Sequence, residues 1–338
     1  MNNFIEHAHG ALMGLAVGDA LGSPTEGKSP AEIQQRWGRV TDFLSDQPTG
    51  SDDTEYALFS ARLLLRHGFE LTSQLVAQAW REEIISEKNA YKGAGFSEIL
   101  TIANLKRGLQ PPQSGQHLHS WSDGLAMRAA PFGIAAAGDP ALAAKLAEAD
   151  GRVSHAGEGI YGGKAVAAAV AVAMTGADQD EIFAAALQVI PENSWCSRAM
   201  QQAIMIGRAN ENVWEALPPL HEALVCHYYH WADLAPEAVG LAFGVLAASR
   251  GEFEAAVLGG VNVGRDADTI AAIAGAIAGA KHGYSVLPAR WTNKIQPVRG
   301  ACIKMVQGMS ILQTAEALAD LAASKTYCHP VRNFLSIQ

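Results

Sequence analysis

The stretch Gly260–Ala280, GVNVGRDADTIAAIAGAIAGA, opens with Gly and Asn, presents Asp266 and Asp268 one residue apart, closes them with Thr269, and becomes a run of Ala, Ile and Gly. That order predicts a loop entering a buried helix. Gly264 permits a backbone bend that other residues resist. Asp and Thr suit a helix start, where free N–H groups need acceptors. Gly275 and Gly279 allow a second helix to approach closely. A capped core helix explains one of the aspartates. It does not explain an Asp-x-Asp-Thr set at the mouth of so apolar a helix, because two carboxylates this close repel unless a cation joins them. On this stretch alone, capping and metal binding both stand.

A second acidic helix entrance lies far upstream. Ser51-Asp52-Asp53-Thr54 precedes a run in which Ala57, Leu58, Ala61, Leu64 and Leu65 fall at helical spacing, and Gly68 ends it. Ser51 or Asp52 is the natural N-cap. If this helix and the Asp266 helix pack side by side, their mouths converge and gather oxygen ligands in one pocket. Residues 8–22 are small or apolar nearly all round, which predicts a buried helix. The loop after it, SPTEGKSP, carries Glu26, which reads locally as a solvated charge.

Ser122-Asp123-Gly124 leads into LAMRAAPFGIAAAG, another loop-to-helix entrance whose exposed amides can hold a phosphate. Asp123 would oppose a phosphate, yet can accept from a sugar hydroxyl or hold an arginine. Gly157 to Gly162 matches GxGxxG, but the preceding AEADGRVSHA cannot form the buried strand that a dinucleotide fold requires. The segment reads instead as Ser154-His155 on a glycine-rich turn before a helix. His117 and His119 sit in a loop and read as solvated. The group His221, Cys226, His227 and His230 lacks zinc-site spacing and reads as core and surface.

Composition sets the outer bounds. The 338 residues are 49% apolar and only 7% aromatic, which favours closely packed helices. A formal net charge of −9 argues against nucleic acid or an anionic membrane as the partner. No apolar run is long enough to span a membrane. Cys196, Cys226, Cys302 and Cys328 form no CxxC pair and read as reduced thiols of a cytoplasmic protein. Residues 71–110 read as helical with Trp80 and Leu100 in the core, AYKGAGFS as a glycine-rich break, Gly283–Trp291 as turn and loop, and 294–323 as a final helical region. The expectation is one compact all-α domain over residues 1–338, a monomer.

With these entrances in hand, the chain resembles the ADP-ribosylglycohydrolase family from Gly10 to about Trp291. GALMGLAVGDALGSPTEG, SDDT, SDGLAMRAAP with the Ser154-His155 turn, and NVGRDADTIAAIAGAIAGA carry the resemblance, in the family's order. It implies an orthogonal all-helical bundle with two Mg2+ ions, sometimes Mn2+. Ser51, Asp52, Asp53, Asp266, Asp268 and Thr269 would then be metal ligands, and hard oxygen donors suit those ions. Glu26 would gate the site. Ser122, Asp123, Gly124, Leu125 and Ala126 would lie on the pyrophosphate and ribose, with His155 against the ADP-ribose. Glu26, Asp53 or Asp268 would take the proton of the attacking water. The implied reaction is cleavage of the bond between ADP-ribose and an acceptor such as protein arginine. One departure bears on substrate: the family's Gly-Asn-Gly is Ser122-Asp123-Gly124 here. That leaves room for a small ribosylated metabolite or nucleoside. A third reading is an inactive ADP-ribose-binding or crystallin-like protein.

Overall fold

The computed structural model describes the backbone of residues 2–86 and 93–328 and the side chains of residues 4–86 and 93–324. Ala90, Tyr91 and Lys92 of the glycine-rich break, and the Cys328 thiol, lie outside the described residues. The first part of the chain forms α1 (Asn2–Gly22), α2 (Pro30–Trp37), α3 (Asp52–His67), α4 (Ser73–Ala79, continued by a π-helical stretch Trp80–Ile85) and α5 (Phe96–Lys106). The middle forms two one-turn pieces, α6 (Gly124–Met127) and α7 (Ala130–Ala135), followed by α8 (Pro140–Gly151), α9 (Glu158–Ala173), α10 (Gln179–Gln188), α11 (Trp195–Ala209) and α12 (Val213–Leu224). The last part forms α13 (Ala235–Ala248), α14 (Phe253–Val263), α15 (Ala267–His282), α16 (Ala289–Thr292) and α17 (Ile311–Cys328). The fold is all-α. Among the described residues the β-structure amounts to one isolated bridge, Ser122 with Leu234. Residues 152–157 between α8 and α9 form no strand, as expected, but the expected glycine-rich turn is itself helix: residues 158–162 open α9, with Gly157 before it at φ +52°.

The centre of the molecule is the antiparallel pair α1 and α15. Gly10 lies on Gly279, Gly14 on Gly275, Gly18 on Ala271 and Gly22 on Ala267, and a Cβ at any of these glycines would strike the backbone of the facing helix. Small residues four apart on one face are what allow so close an approach. α14 and α13 pack against α15 from the C-terminal side, and α11 packs on α13. α15 is buried from Ala267 to Ala280.

Three further expectations are corrected here. Gly260–Val263 is the last turn of α14, not loop; the break between helices is confined to Gly264, Arg265 and the N-cap Asp266, with φ angles of +72° and +60° at the first two. Residues 294–310 are mostly irregular, with one 3-10 turn at Lys304–Val306, and the last helix starts only at Ile311. Leu100 is half-buried, whereas Trp80 is 1% exposed.

Candidate metal centre and active-site cavity

α3 begins where α1 ends. Ser51 is the N-cap, its Oγ accepting from the Asp53 amide at 3.4 Å. The stronger support comes from Asp19 in the penultimate turn of α1. Its buried carboxylate accepts from the Ser51 amide at 2.8 Å, the Thr54 amide at 3.1 Å and the Thr54 hydroxyl at 2.5 Å. One buried acid thus fixes the turn that carries Asp52 and Asp53. Burial pushes Asp19 up to about 6 despite these bonds.

α15 begins differently. Asp266 occupies the N-cap position but makes no side-chain cap bond, so its carboxylate is left free of the role that capping would give it. Asp268 Oδ1 accepts from the Thr269 amide at 3.1 Å, and the Thr269 hydroxyl donates to Asp53 Oδ2 at 3.1 Å, across 216 residues of sequence. The two acidic entrances therefore meet. Glu26 is brought to the same place by the helix break: the Arg265 amide donates to Lys28 O at 2.9 Å and the Gly27 amide to Arg265 O at 2.8 Å. One carboxylate oxygen each from Glu26, Asp266 and Asp268 lie within 4.8 Å of one another.

The electrostatics follow from this crowding. Burial first, then neighbouring carboxylates, raises Asp53, Asp266 and Asp268 well above the usual carboxylate range. Burial, Glu98 and Asp19 push Asp52 up to about 8. Glu26 is the exposed member, raised by what burial its carboxyl has and opposed by Lys28. Buried acids packed this way, with oxygen donors only and no cap bond at Asp266, fit a hard divalent cation.

The cavity over this cluster has a volume of about 530 Å³ and runs from Glu26, Asp52 and Asp53 to Ser122–Gly124 and His230–Asp233. Ser122 is 4% exposed and stands in a closed ring of hydrogen bonds. The Ser122 hydroxyl donates to Ser97 Oγ at 2.9 Å, and Ser97 donates to Glu98 Oε2 at 2.6 Å. Glu98 Oε1 accepts from Arg128 at 3.1 Å, and Arg128 donates to Ser154 Oγ at 2.7 Å. His155 joins Ser154 at 2.8 Å to Ser122 at 3.0 Å. These directions assign His155 the neutral Nε2–H form. Burial and the Arg128 charge hold its pKa well below the usual histidine value, which agrees.

Arg128 is 1% exposed and saturated: it also bonds Asp150 at 2.9 Å and the Gly124 carbonyl at 2.7 Å. His155 is fully buried behind Ser122 and does not line the cavity. Leu125 and Ala126 do not line it either. The Leu125 side chain fills the space over Gly151 and Gly163, and Ala126 faces Gly162, because a one-turn helix can turn only one face to the cavity. Two of the amides expected to be free in the Ser122 segment are engaged. The Asp123 amide donates to Asp233 O at 3.0 Å and the Gly124 amide to Ser122 Oγ at 3.4 Å.

His119, read as solvated, is buried; its ring stacks on Phe96 at 4.9 Å and its Nδ1 lies 3.1 Å from the Tyr229 hydroxyl. His117 is half-buried, bonded to Thr101, and pushed down to about 4 by burial. The structure also brings to the site residues that sequence reasoning missed: Asp19, Glu98, Asp233, Phe96 and Trp231. Eight residues lining the cavity bear carboxyl groups, whereas Arg265 is the one fixed cation among the described lining residues. Arg265 is itself engaged by Glu237 at 2.5 Å and by the Trp231 carbonyl at 2.9 Å.

Residues 1–327 match the model of the ADP-ribosylglycohydrolase family. The chain belongs to that family. An uncharacterized protein of Archaeoglobus fulgidus is 33% identical over 295 residues, covering 85% of this chain and 90% of that protein. ADP-ribosylhydrolase ARH3 of Danio rerio is 28% identical, covering 83% and 84% of the two chains. ADP-ribosyl-[dinitrogen reductase] glycohydrolase of Rhodospirillum rubrum is 26% identical, covering 86% and 90%. A solved ADP-ribosylglycohydrolase-related protein complex shares the fold, with a TM-score of 0.66 at 24% identity over 95% of this chain and all of that one. Family members of this kind are glycohydrolases, and the all-α architecture is the family's own. Among the described residues no helix is long and apolar enough to cross a membrane.

Proposed function

We propose that this family member is a metal-dependent hydrolase that cleaves the bond between ribose C1 and an acceptor, with an ADP-ribosyl group on protein arginine and a small ribosylated metabolite as the two substrate classes. The hydrogen bond from Thr269 to Asp53 at 3.1 Å supports it most, because it joins the two acidic turns over one cavity. Ser51, Asp52, Asp53, Asp266 and Asp268 are the residues that would hold two divalent cations, Mg2+ or Mn2+, with the Thr269 hydroxyl completing the oxygen set and Glu26 beside Asp266 and Asp268. The Ser51 hydroxyl accepts one long cap bond, at 3.4 Å from the Asp53 amide, and keeps a second lone pair for a cation. Such cations, when bound, supply the positive charge that grips vicinal hydroxyls and acidifies water.

The chain's own groups do the rest. Glu26, the exposed acid at the cavity edge, accepts the proton of the attacking water as the water oxygen bonds to C1, and passes that proton to the acceptor atom as it leaves. Asp53 and Asp268 face the sugar as carboxylates and stabilise the positive charge that grows at C1 as the bond to the acceptor breaks. The Ser97–Ser122–His155–Ser154–Arg128–Glu98 ring holds the opposite wall rigid, so that the reacting bond is kept in register with Glu26.

The test is substitution of Asp53 or Asp268 by Asn. Each variant should lose Mg2+ binding by calorimetry and lose turnover of an ADP-ribosyl-arginine peptide or a riboside by about 10²-fold or more, since even outer-shell partners of a metal are worth 10–100-fold. Full activity of either variant in the presence of a chelator would sink the metal mechanism.

A further inference from the structure

The same cavity holds a further pair of acids, Asp123 and Asp233, outside the proposed ligand set. Asp123 is 3% exposed, lines the cavity, and its Oδ2 has no hydrogen-bond partner among the described residues. Asp233 lines the same wall, and its carboxyl lies 3.4 Å from the His119 ring nitrogen. Two aromatic faces stand beside them: Phe96 and Trp231 are 46% and 40% exposed, with ring centroids 6.0 Å apart at a steep angle. His119 props both rings from behind.

These observations point away from phosphate. An anion at this wall would meet two carboxylates, an Asp123 amide already given to Asp233 O, and an Arg265 guanidinium already held by Glu237. A neutral group with O–H or N–H donors would instead satisfy the orphaned Asp123 oxygen, which is costly to leave unpaired. A flat ring would stack on the exposed aromatic faces. Resting on the reading that the cavity cleaves ribosides, we infer that the Asp123–Asp233 wall selects a phosphate-free riboside with a planar base, and that Asp123 is the specificity-determining residue that rejects a phosphorylated one.

The experiment measures binding by calorimetry in Mg2+ to the full chain, using adenosine, uridine and their 5′-monophosphates. The wild type should bind at least one nucleoside about tenfold or more tightly than its monophosphate. Asp123→Asn, which keeps the shape and removes the charge, should shrink that ratio by at least about threefold. Asp233→Asn should act in the same direction, and Trp231→Ala should weaken nucleoside binding. Tighter binding of the monophosphates by the wild type, a ratio unmoved by Asp123→Asn, or no binding of any nucleoside would overturn the inference. The reading of the cavity as hydrolytic is tested separately by metal-dependent turnover. Cleavage of ADP-ribosyl-arginine together with a preference for phosphates overturns the selectivity alone. A nucleoside preference with no metal-dependent cleavage of any riboside overturns the hydrolase alone.

Discussion

Arg128 shows how one side chain organises a whole wall of the cavity. Its guanidinium bonds Asp150, Glu98, Ser154 and the Gly124 carbonyl, and lies over the rings of Tyr56 and Trp80 at 5.5 and 5.9 Å. A buried cation this well bonded is expensive to remove, because the carboxylates of Glu98 and Asp150, each 1% exposed, would be left without a countercharge. Arg128→Met should therefore destabilise the fold by about 3–5 kcal/mol in urea denaturation. In sequence Arg128 is simply a basic residue on an apolar helix, and the Gly124 loop it secures gives no local hint of it. Asp19 is similar: it lies in an apolar helix and reads as an ordinary helix-end acid. Its use as the acceptor for the Ser51 and Thr54 amides exists only once α1 and α3 have met.

At the scale of elements, the two acidic entrances were legible because helix starts are local. A hydroxyl or acid before a run with 3.6-residue spacing marks them, and Ser51 and Asp266 are where α3 and α15 begin. The direction of a one-turn helix is not local, and so Leu125 and Ala126 were expected against ligand but lie beneath the cavity. The contact of α1 with α15 links packing to the site directly. A Cβ at Gly22 would strike the backbone of Ala267 and Asp268, which cannot yield as a side-chain tip would. Gly22→Ala should cost about 1–3 kcal/mol of stability by overpacking. Because the displaced backbone belongs to a proposed metal ligand, Mg2+ affinity should fall more than for Gly176→Ala, which meets nothing within 4 Å. Calorimetry on the two variants compares them; equal Mg2+ affinity would refute the link.

For the molecule as a whole, the all-α class followed from Ala-rich, aromatic-poor composition and from helical spacing almost everywhere. The segment 294–310 was read as helix although it carries Pro297, Gly300 and Gly308, breakers that agree with its irregular course. The cavity's negative field has a global consequence. Asp19 and Asp52 titrate near about 6 and about 8 in the folded chain, above their ordinary 3.8. The metal-free folded state therefore holds these protons more tightly than the unfolded chain does. Their contribution to stability is complete below about pH 4 and drains away as pH rises toward about 8. Denaturant midpoints measured in chelator should fall across that range, and added Mg2+ should restore most of the loss at the alkaline end, where the carboxylates are free to bind it.

The glycine-lined contact of α1 with α15 also bears on how the protein is made. His7 of α1 bonds the Ala280 carbonyl of α15, 273 residues later. At the usual ribosomal pace of about 5–20 residues per second, the first helix waits roughly 15–50 s for its mate. During that interval its bare hydrophobic flank belongs to no finished core, and nascent chains should depend on chaperones until the last third emerges. A circular permutant that begins at α14 would synthesise the two halves of the pair in succession and should mature with less aggregation.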